Sequence, residues 1–469
     1  MSAFIKKEIF LAPRIVMSWT LLVLVGILIP IWSIPHTMAA RNISLGASLL
    51  ALCFSRFDWR IYKNQLNIFY LFTGYLLIHL LFFSIDIKIA LHNFRSEWLK
   101  FILCFILGLG TALAVHRCQL SKALLWVGAL FTIPLFVHLL LVLNVWRINF
   151  QVFPWGYLGI NTFHGELGYA SLAATIFLGV YLNFQASKVW EYVFVLACLI
   201  VCIFSLAVAQ SRGGLTFSIF AILMITTCAI FKKSHKSNMM FRHWFFIMPL
   251  LLIITTTAFL AVTADLTRWQ STAGKLKMGA IASINSFEIA CKGVGVLSTQ
   301  LSKSQPLDSE TKEQIMSVFD GDGARVIGLV TGLGLIMENP MGIDQSRQAY
   351  QIALKKYCQG QPGTILSHAH NGWINTALAV GIPGTLLLFS LFLQVIKIAY
   401  QGMNKNNCLN PFSIALFFSS CIWLLRAMID GTMQDQSLEM QAFILALLLG
   451  LTLQGNANAM TNSCSVQSK

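Results

Sequence analysis

Apolar runs of about 17–25 residues, each long enough to cross the ~30 Å hydrocarbon layer of a bilayer as a helix, recur along almost the whole chain. About twelve can be placed by that length criterion, within 15–32, 39–54, 66–85, 98–115, 121–143, 166–184, 190–209, 213–231, 244–264, 371–395, 411–429 and 438–454. With 57% hydrophobic residues and a mean hydropathy of +0.71, a string of soluble domains is excluded. The expected fold is an all-α polytopic membrane protein.

Orientation is read from where the basic residues fall. If the N-terminus is cytoplasmic, the inside segments hold 16 of the 33 Lys and Arg residues, among them Lys6, Lys7, Arg56, Lys63, Arg117, Lys232 and Lys233. The short outside segments hold only Arg41, Lys88, Arg95, Lys100, Arg147, Arg212 and Arg426. This excess predicts both termini inside by the positive-inside rule. The formal charge of +15 then reflects topology and anionic lipid contact, and no basic tract is dense enough to predict nucleic acid as a partner. The first apolar run, after Lys6 and Lys7, is too long for the hydrophobic region of a signal peptide and is expected to stay as an anchor.

The succession of runs is broken once, by residues 265–368, which carry ten basic and nine acidic side chains. The expected organisation is therefore helices 1–9 in 1–264, a large and mainly helical external loop domain in 265–368, and helices 10–12 with a short tail in 369–469. Within the loop, 271–300, 309–319 and 324–338 have helical spacing, the last ending at Asn339-Pro340, and Asp320-Gly321-Asp322-Gly323 reads as a turn. A second external segment, 144–165, is rich in Trp146, Phe150, Phe153, Trp155 and Tyr157, which suits the headgroup region. Six of the eleven cysteines (Cys53, Cys104, Cys198, Cys202, Cys228 and Cys421) lie in apolar runs, where small polarizable side chains pack between helices. Cys291 and Cys358 lie in the loop domain, where they are either a disulfide or two separate thiols.

Three unusual polar sites fall on the same membrane face by parity. Gln210-Ser211-Arg212-Gly213-Gly214 joins the seventh and eighth runs with no room for a loop, Arg325 lies in the external domain, and Ser367-His368-Ala369-His370-Asn371 opens the tenth run. An interfacial arginine alone is usually a snorkelling anchor, and a histidine at a span end is usually a cap. Arg212, however, has no acidic residue within ten positions, so its partner must come from elsewhere in the fold or from a ligand. His164 and Glu166 at the start of the sixth run are weaker candidates of the same kind. Two guanidinium forks suit phosphate oxygens, and a neutral imidazole can take a proton from an attacking hydroxyl. The combination suits transfer of a group from a lipid-linked diphosphate. No Asp/Glu/His set at metal spacing accompanies it, so neither a metal nor another cofactor is expected.

His370-Asn371, nine residues and Gly381-x-x-Gly384, preceded by the large loop and by Gln210-Ser211-Arg212-Gly213, resembles the O-antigen ligase and polymerase superfamily of bacterial inner-membrane glycosyltransferases. Gly323-Ala324-Arg325 leading into Glu338-Asn339-Pro340-Met341-Gly342 is similar to the segment that precedes the histidine in that family, and the His-Asn spacing points to the ligase branch. The resemblance implies a multi-pass inner-membrane enzyme with its active site on the periplasmic side. Its donor would be O-antigen on undecaprenyl diphosphate, and its acceptor lipid A-core oligosaccharide, in lipopolysaccharide biosynthesis. It further implies His370 as general base, Arg212 and Arg325 as diphosphate ligands, and an inverting single displacement. His368, Asn371 and His164 remain candidates for orienting the acceptor. An O-antigen polymerase, a protein O-oligosaccharyltransferase and a lipid-glycan flippase are the competing readings, although a flippase should place charges near the membrane midplane.

Overall fold

A computed structural model describes residues 2–56, 59–149, 152–159, 164–233, 252, 255–264, 266–293, 322–360, 362–363, 368–403 and 410–466. Among the described residues the regular structure is all helical: α1 (Ser2–Trp32), α2 (Met38–Phe54), α3 (Asn67–Phe82), α4 (Ile87–Asn93), α5 (Leu99–Arg117), α6 (Ala123–Asn149), α7 (His164–Phe184), α8 (Val189–Val208) and α9 (Arg212–Lys233). There follow α10 (Thr255–Ala264), α11 (Leu266–Ser283), α12 (Ser286–Lys292), α13 (Asp322–Glu338), α14 (Ala349–Tyr357), α15 (Gly372–Met403), α16 (Pro411–Ala427) and α17 (Asp435–Val466).

Among the described residues, eight helices are long and apolar enough to cross a bilayer: Arg14–Trp32, Ile87–Arg117, Ala123–Asn149, Gly165–Phe184, Val189–Val208, Arg212–Phe231, Gly372–Met403 and Asp435–Gly455. Four more apolar helices, Met38–Phe54, Asn67–Phe82, Thr255–Ala264 and Pro411–Ala427, are shorter. Each of the expected runs overlaps one of these helices, but only eight of them have the length and apolarity that the expectation of about twelve spans requires.

The boundaries differ where polar residues are drawn into the bundle. Lys88, Arg95 and Lys100, expected in an outside segment, lie on a continuous helical path of α4, a π-helical turn over Phe94–Trp98 and α5. The Asp86 side chain starts this path by accepting from the backbone N–H groups of Lys88 and Ile89. Lys100 and Arg41 do not end in solvent. Lys100 Nζ lies 3.3 Å from Glu439 Oε1 on α17, and Arg41 Nη1 lies 3.9 Å from Oε2 of the same carboxylate. The Trp32 indole donates to that oxygen at 3.2 Å, so one buried glutamate ties together α1, α2, α5 and α17.

A close helix pairing joins α5 to α17, where a Cβ on Gly108 would collide with the backbone around Phe443 and one on Gly450 with Ala112. Of the helices expected in the loop domain, α13 matches 324–338, whereas 271–300 divides into α11 and α12, and 309–319 lies outside the described residues. A disulfide joins Cys291, in α12, to Cys358, at the end of α14, with their Cα atoms 5.3 Å apart. The aromatic segment after α6 folds back on the bundle. Trp146 meets Phe153 edge-on at 5.7 Å and Phe153 meets Trp155 at a tilt at 4.9 Å, and the Gly156 N–H donates to the Val208 carbonyl. Phe150 lies outside the described residues.

Helix α15 is bent at Gly381 (φ 75°), just before Pro383, and backbone groups around the bend find partners outside the helix. The carbonyls of Leu378, Ala379 and Val380 accept from the N–H groups of Ile343 and Gln345 and from the Tyr75 hydroxyl, at 2.7, 3.1 and 2.8 Å. The Ile382 N–H turns to the Pro340 carbonyl at 2.8 Å. The Gly381-x-x-Gly384 motif is thus a joint into which the Asn339–Gln345 strap inserts. Such a break is tolerated within a membrane helix because these freed groups are satisfied by protein.

Candidate active site at the meeting of four helix ends

The junction between α8 and α9 is as short as the sequence predicts. Gln210 takes a left-handed conformation (φ 55°) and ends α8, and the Ser211 carbonyl accepts the first α9 bond, from Leu215. Arg212 is therefore the first residue of α9. Gly214 permits the close approach behind it, because its Cβ would fall 2.8 Å from the Cα of Gly168 on α7.

The partner that Arg212 lacks in its own neighbourhood comes from α13. Arg212 Nη2 lies 3.1 Å from Asp322 Oδ2, and Nη1 donates to Thr272 Oγ1 of α11 at 2.6 Å. Arg325, one turn along α13, has its Nη1 3.9 Å from the other oxygen of Asp322. Asp322 is not the turn residue that the sequence predicts. It opens α13 and holds two arginines from distant parts of the chain, while Asp320 lies outside the described residues.

These residues line a cavity of about 390 Å³, together with Gln210, Gly213 and Gly214, and with Arg426, Ile429 and Asp430 at the end of α16. The N-termini of α9 and α13 both border it, and unpaired N–H groups at helix starts favour an anion. The arginines bring the cation that such an anion needs.

The histidine segment is fixed to the same end of α16. The Gly372 N–H donates to the Asp430 carbonyl at 3.0 Å, and Asn371 Nδ2 donates to the Met428 carbonyl at 2.7 Å. Asn371 Oδ1 accepts from the Ile374 N–H at 3.0 Å, capping α15. Before it, the Ala369 N–H donates to Asn375 Oδ1, and Ala369 packs where Gly328 of α13 leaves no room for a side chain. His370 sits between these two anchors at φ 50°, a left-handed conformation that a β-carbon disfavours by roughly 1–2 kcal/mol. Its ring lies 4.2 Å from that of His368, centroid to centroid.

Burial depresses both imidazoles. The His370 pKa falls to about 4, chiefly because burial strips water from the imidazolium, with His368 and Arg325 adding to the effect and Asp430 opposing it. His368 is lowered by burial, with Asp430 opposing and Arg325 assisting. At neutral pH His370 is therefore uncharged and able to accept a proton.

The structure brings Arg212 and Arg325 to one carboxylate, ties Asn371 to Met428 just past α16 and sets His368 against Gly431, while His368, His370 and Asn371 stand outside the lining of the cavity itself. His164 begins α7, and its side chain is not among those described. Among the described residues no group of three or more His, Cys, Asp or Glu side chains is placed to hold a metal ion.

The sequence reading missed Asp322, Arg426 and Asp430. It took Arg426 only as an outside charge, yet the residue is 1% exposed. An Arg and an Asp four positions apart at the end of an apolar run could have shown them as a helical pair.

Residues 196–389 match the family model described as O-antigen ligase. That stretch is similar to the O-antigen ligase family. It holds Arg212, Arg325, His368, His370 and the Gly381 joint, and it ends before Arg426 and Asp430. No curated protein matches the chain. The matched stretch lies in a chain with several helices long and apolar enough to cross a membrane.

Proposed function

We propose that this protein is an O-antigen ligase that transfers a glycan from undecaprenyl diphosphate to lipid A-core oligosaccharide at the periplasmic face of the bacterial inner membrane. The observation that carries this reading is the meeting of Arg212 and Arg325 around Asp322 in one cavity, beside the neutral His370. The arginines bind the donor diphosphate and offset the charge that develops on it as it leaves. His370 takes the proton of the acceptor hydroxyl as the hydroxyl oxygen bonds to the anomeric carbon. The carbon–oxygen bond to the diphosphate breaks, and its electron pair departs with undecaprenyl diphosphate. A single displacement inverts the anomeric centre.

Asn371 orients His370 by capping α15, and His368 packs on the catalytic ring. The Cys291–Cys358 disulfide supports placing α11–α14 in an oxidising compartment. The reaction needs no metal, since cationic side chains already face the leaving group.

Deleting the gene and separating the lipopolysaccharide by electrophoresis tests the ligase assignment. Loss of capped core with accumulation of polymerised lipid-linked glycan is expected. Core capped with a single repeat would identify a polymerase instead. Transfer by purified protein in excess chelator is expected to proceed, and a strict need for added divalent ion would overturn the metal-free step.

A further inference from the structure

Arg426 lies at the inner wall of the cavity and is built into the fold as few membrane arginines are. Its side chain is 2% exposed, its Cζ lies 4.0 Å from the centre of the Tyr169 ring, and its Nη2 is 3.5 Å from Asp430 Oδ2. Nε and Nη1 are buried with no hydrogen-bond partner among the described residues. Leaving such donors unsatisfied is costly in a protein interior. Space has nevertheless been cleared for the group, because a Cβ on Gly168 would stand 2.9 Å from Nη2. The exposure of the three arginine side chains grades across the cavity from 45% for Arg325, through 23% for Arg212, to 2% for Arg426. Three guanidinium groups face two carboxylates, Asp322 and Asp430, among the lining residues.

We propose that Arg426 is a third anion-binding residue, which holds the inner phosphoryl group of a polyprenyl diphosphate while Arg212 and Arg325 hold the outer one. This rests on the lipid-diphosphate reading above. It adds that the cavity measures the length of its ligand: a monophosphate satisfies the outer arginines alone, whereas a diphosphate also reaches the buried one. Asp430 occupies Arg426 in the free protein and gives way to the phosphoryl oxygens. Tyr169 keeps the guanidinium plane fixed from below.

The test uses the full chain in phosphatidylcholine nanodiscs, titrated calorimetrically with geranylgeranyl diphosphate and with geranylgeranyl monophosphate. The unaltered protein is expected to prefer the diphosphate. Arg426→Gln should weaken diphosphate binding about tenfold or more, the loss of a charge-assisted contact, while changing monophosphate binding by less than about threefold. Arg426→Lys keeps the charge and most of the packing, so it serves if the glutamine variant does not fold, and it should still lose most of the preference. Asp430→Asn should preserve or raise diphosphate affinity, because it removes the competing anion.

If Arg426 is only one half of a structural ion pair, Arg426→Gln and Asp430→Asn will instead weaken both ligands together, which overturns the proposal. Displacement of the diphosphate by phosphatidylglycerol in the disc overturns it in favour of a lipid-headgroup site. Failure of the unaltered chain to bind either probe strikes the lipid-diphosphate reading itself, and this inference with it.

Discussion

His370 combines a disfavoured backbone with a depressed pKa, and both follow from the way its neighbours are anchored. Ala369 is fixed by Asn375 and by the absence of a side chain at Gly328, and Asn371 is fixed by Met428 and by its own cap. His370→Ala should leave the protein in the membrane and lower transfer on the order of 10²–10⁴-fold, the usual effect of losing a general base. Wild-type-like rates in a reconstituted assay would remove the base assignment. The pH dependence has a definite sign. A base with the ordinary pKa near 6.5 loses activity as pH falls below that value, whereas one held near 4 stays unprotonated down to about pH 5. The kcat/KM profile should therefore be flat from about pH 8 to 5.5 on the acid side, and a limb near 6.5 would contradict it. At Arg212, both terminal nitrogens are engaged, one by Asp322 and one by Thr272. Arg212→Lys offers a point charge in place of the planar fork and should fail nearly as badly as Arg212→Ala in donor binding.

Among the elements, α15 shows most clearly what its glycines do. The resemblance presents Gly381 and Gly384 as motif letters, and the bend shows the physical need behind them. Gly381 holds a positive φ against the Met341 backbone, and Gly384 clears room for the Tyr75 ring. Gly381→Ala should cost about 2 kcal/mol or more, since a left-handed alanine alone costs roughly 1–2 kcal/mol and its Cβ would also strike the Met341 backbone. Thermal unfolding in detergent measures the loss. An unchanged midpoint would mean that the strap over 339–345 is not seated as described. The cost should also appear as reduced transfer, because α15 carries His370 at its head and the joint sets its tilt.

For the molecule as a whole, the disulfide closes a separation of 67 residues around α13, which carries Arg325 and Asp322. Chain-entropy arguments give such a closure roughly 3–5 kcal/mol of stabilisation. Cys291→Ser should lower the unfolding midpoint and weaken donor binding together, because the α13 end of the cavity then loses a tether. Alkylation of native protein should label Cys291 and Cys358 only after reduction. Labelling without reductant would show free thiols.

The positions of the eight long apolar helices among the described residues were legible in the sequence, because the demand for about twenty consecutive apolar residues is local and each of these runs meets it alone. Arg212, Arg325 and the histidine pair were legible as candidates, since charge at the end of an apolar run stands out against its surroundings. What the sequence could not supply was pairing. Asp322 lies 110 positions from Arg212, and Glu439 lies far from both Arg41 and Lys100. Nothing in the local pattern of either partner encodes the other. Arg426 was misread for the same reason: its burial depends on Tyr169 and Gly168 of a helix about 260 residues earlier. Hydrophobic length is a property of a segment and survives in one dimension. Charge compensation is a property of distance and exists only once the helices have packed.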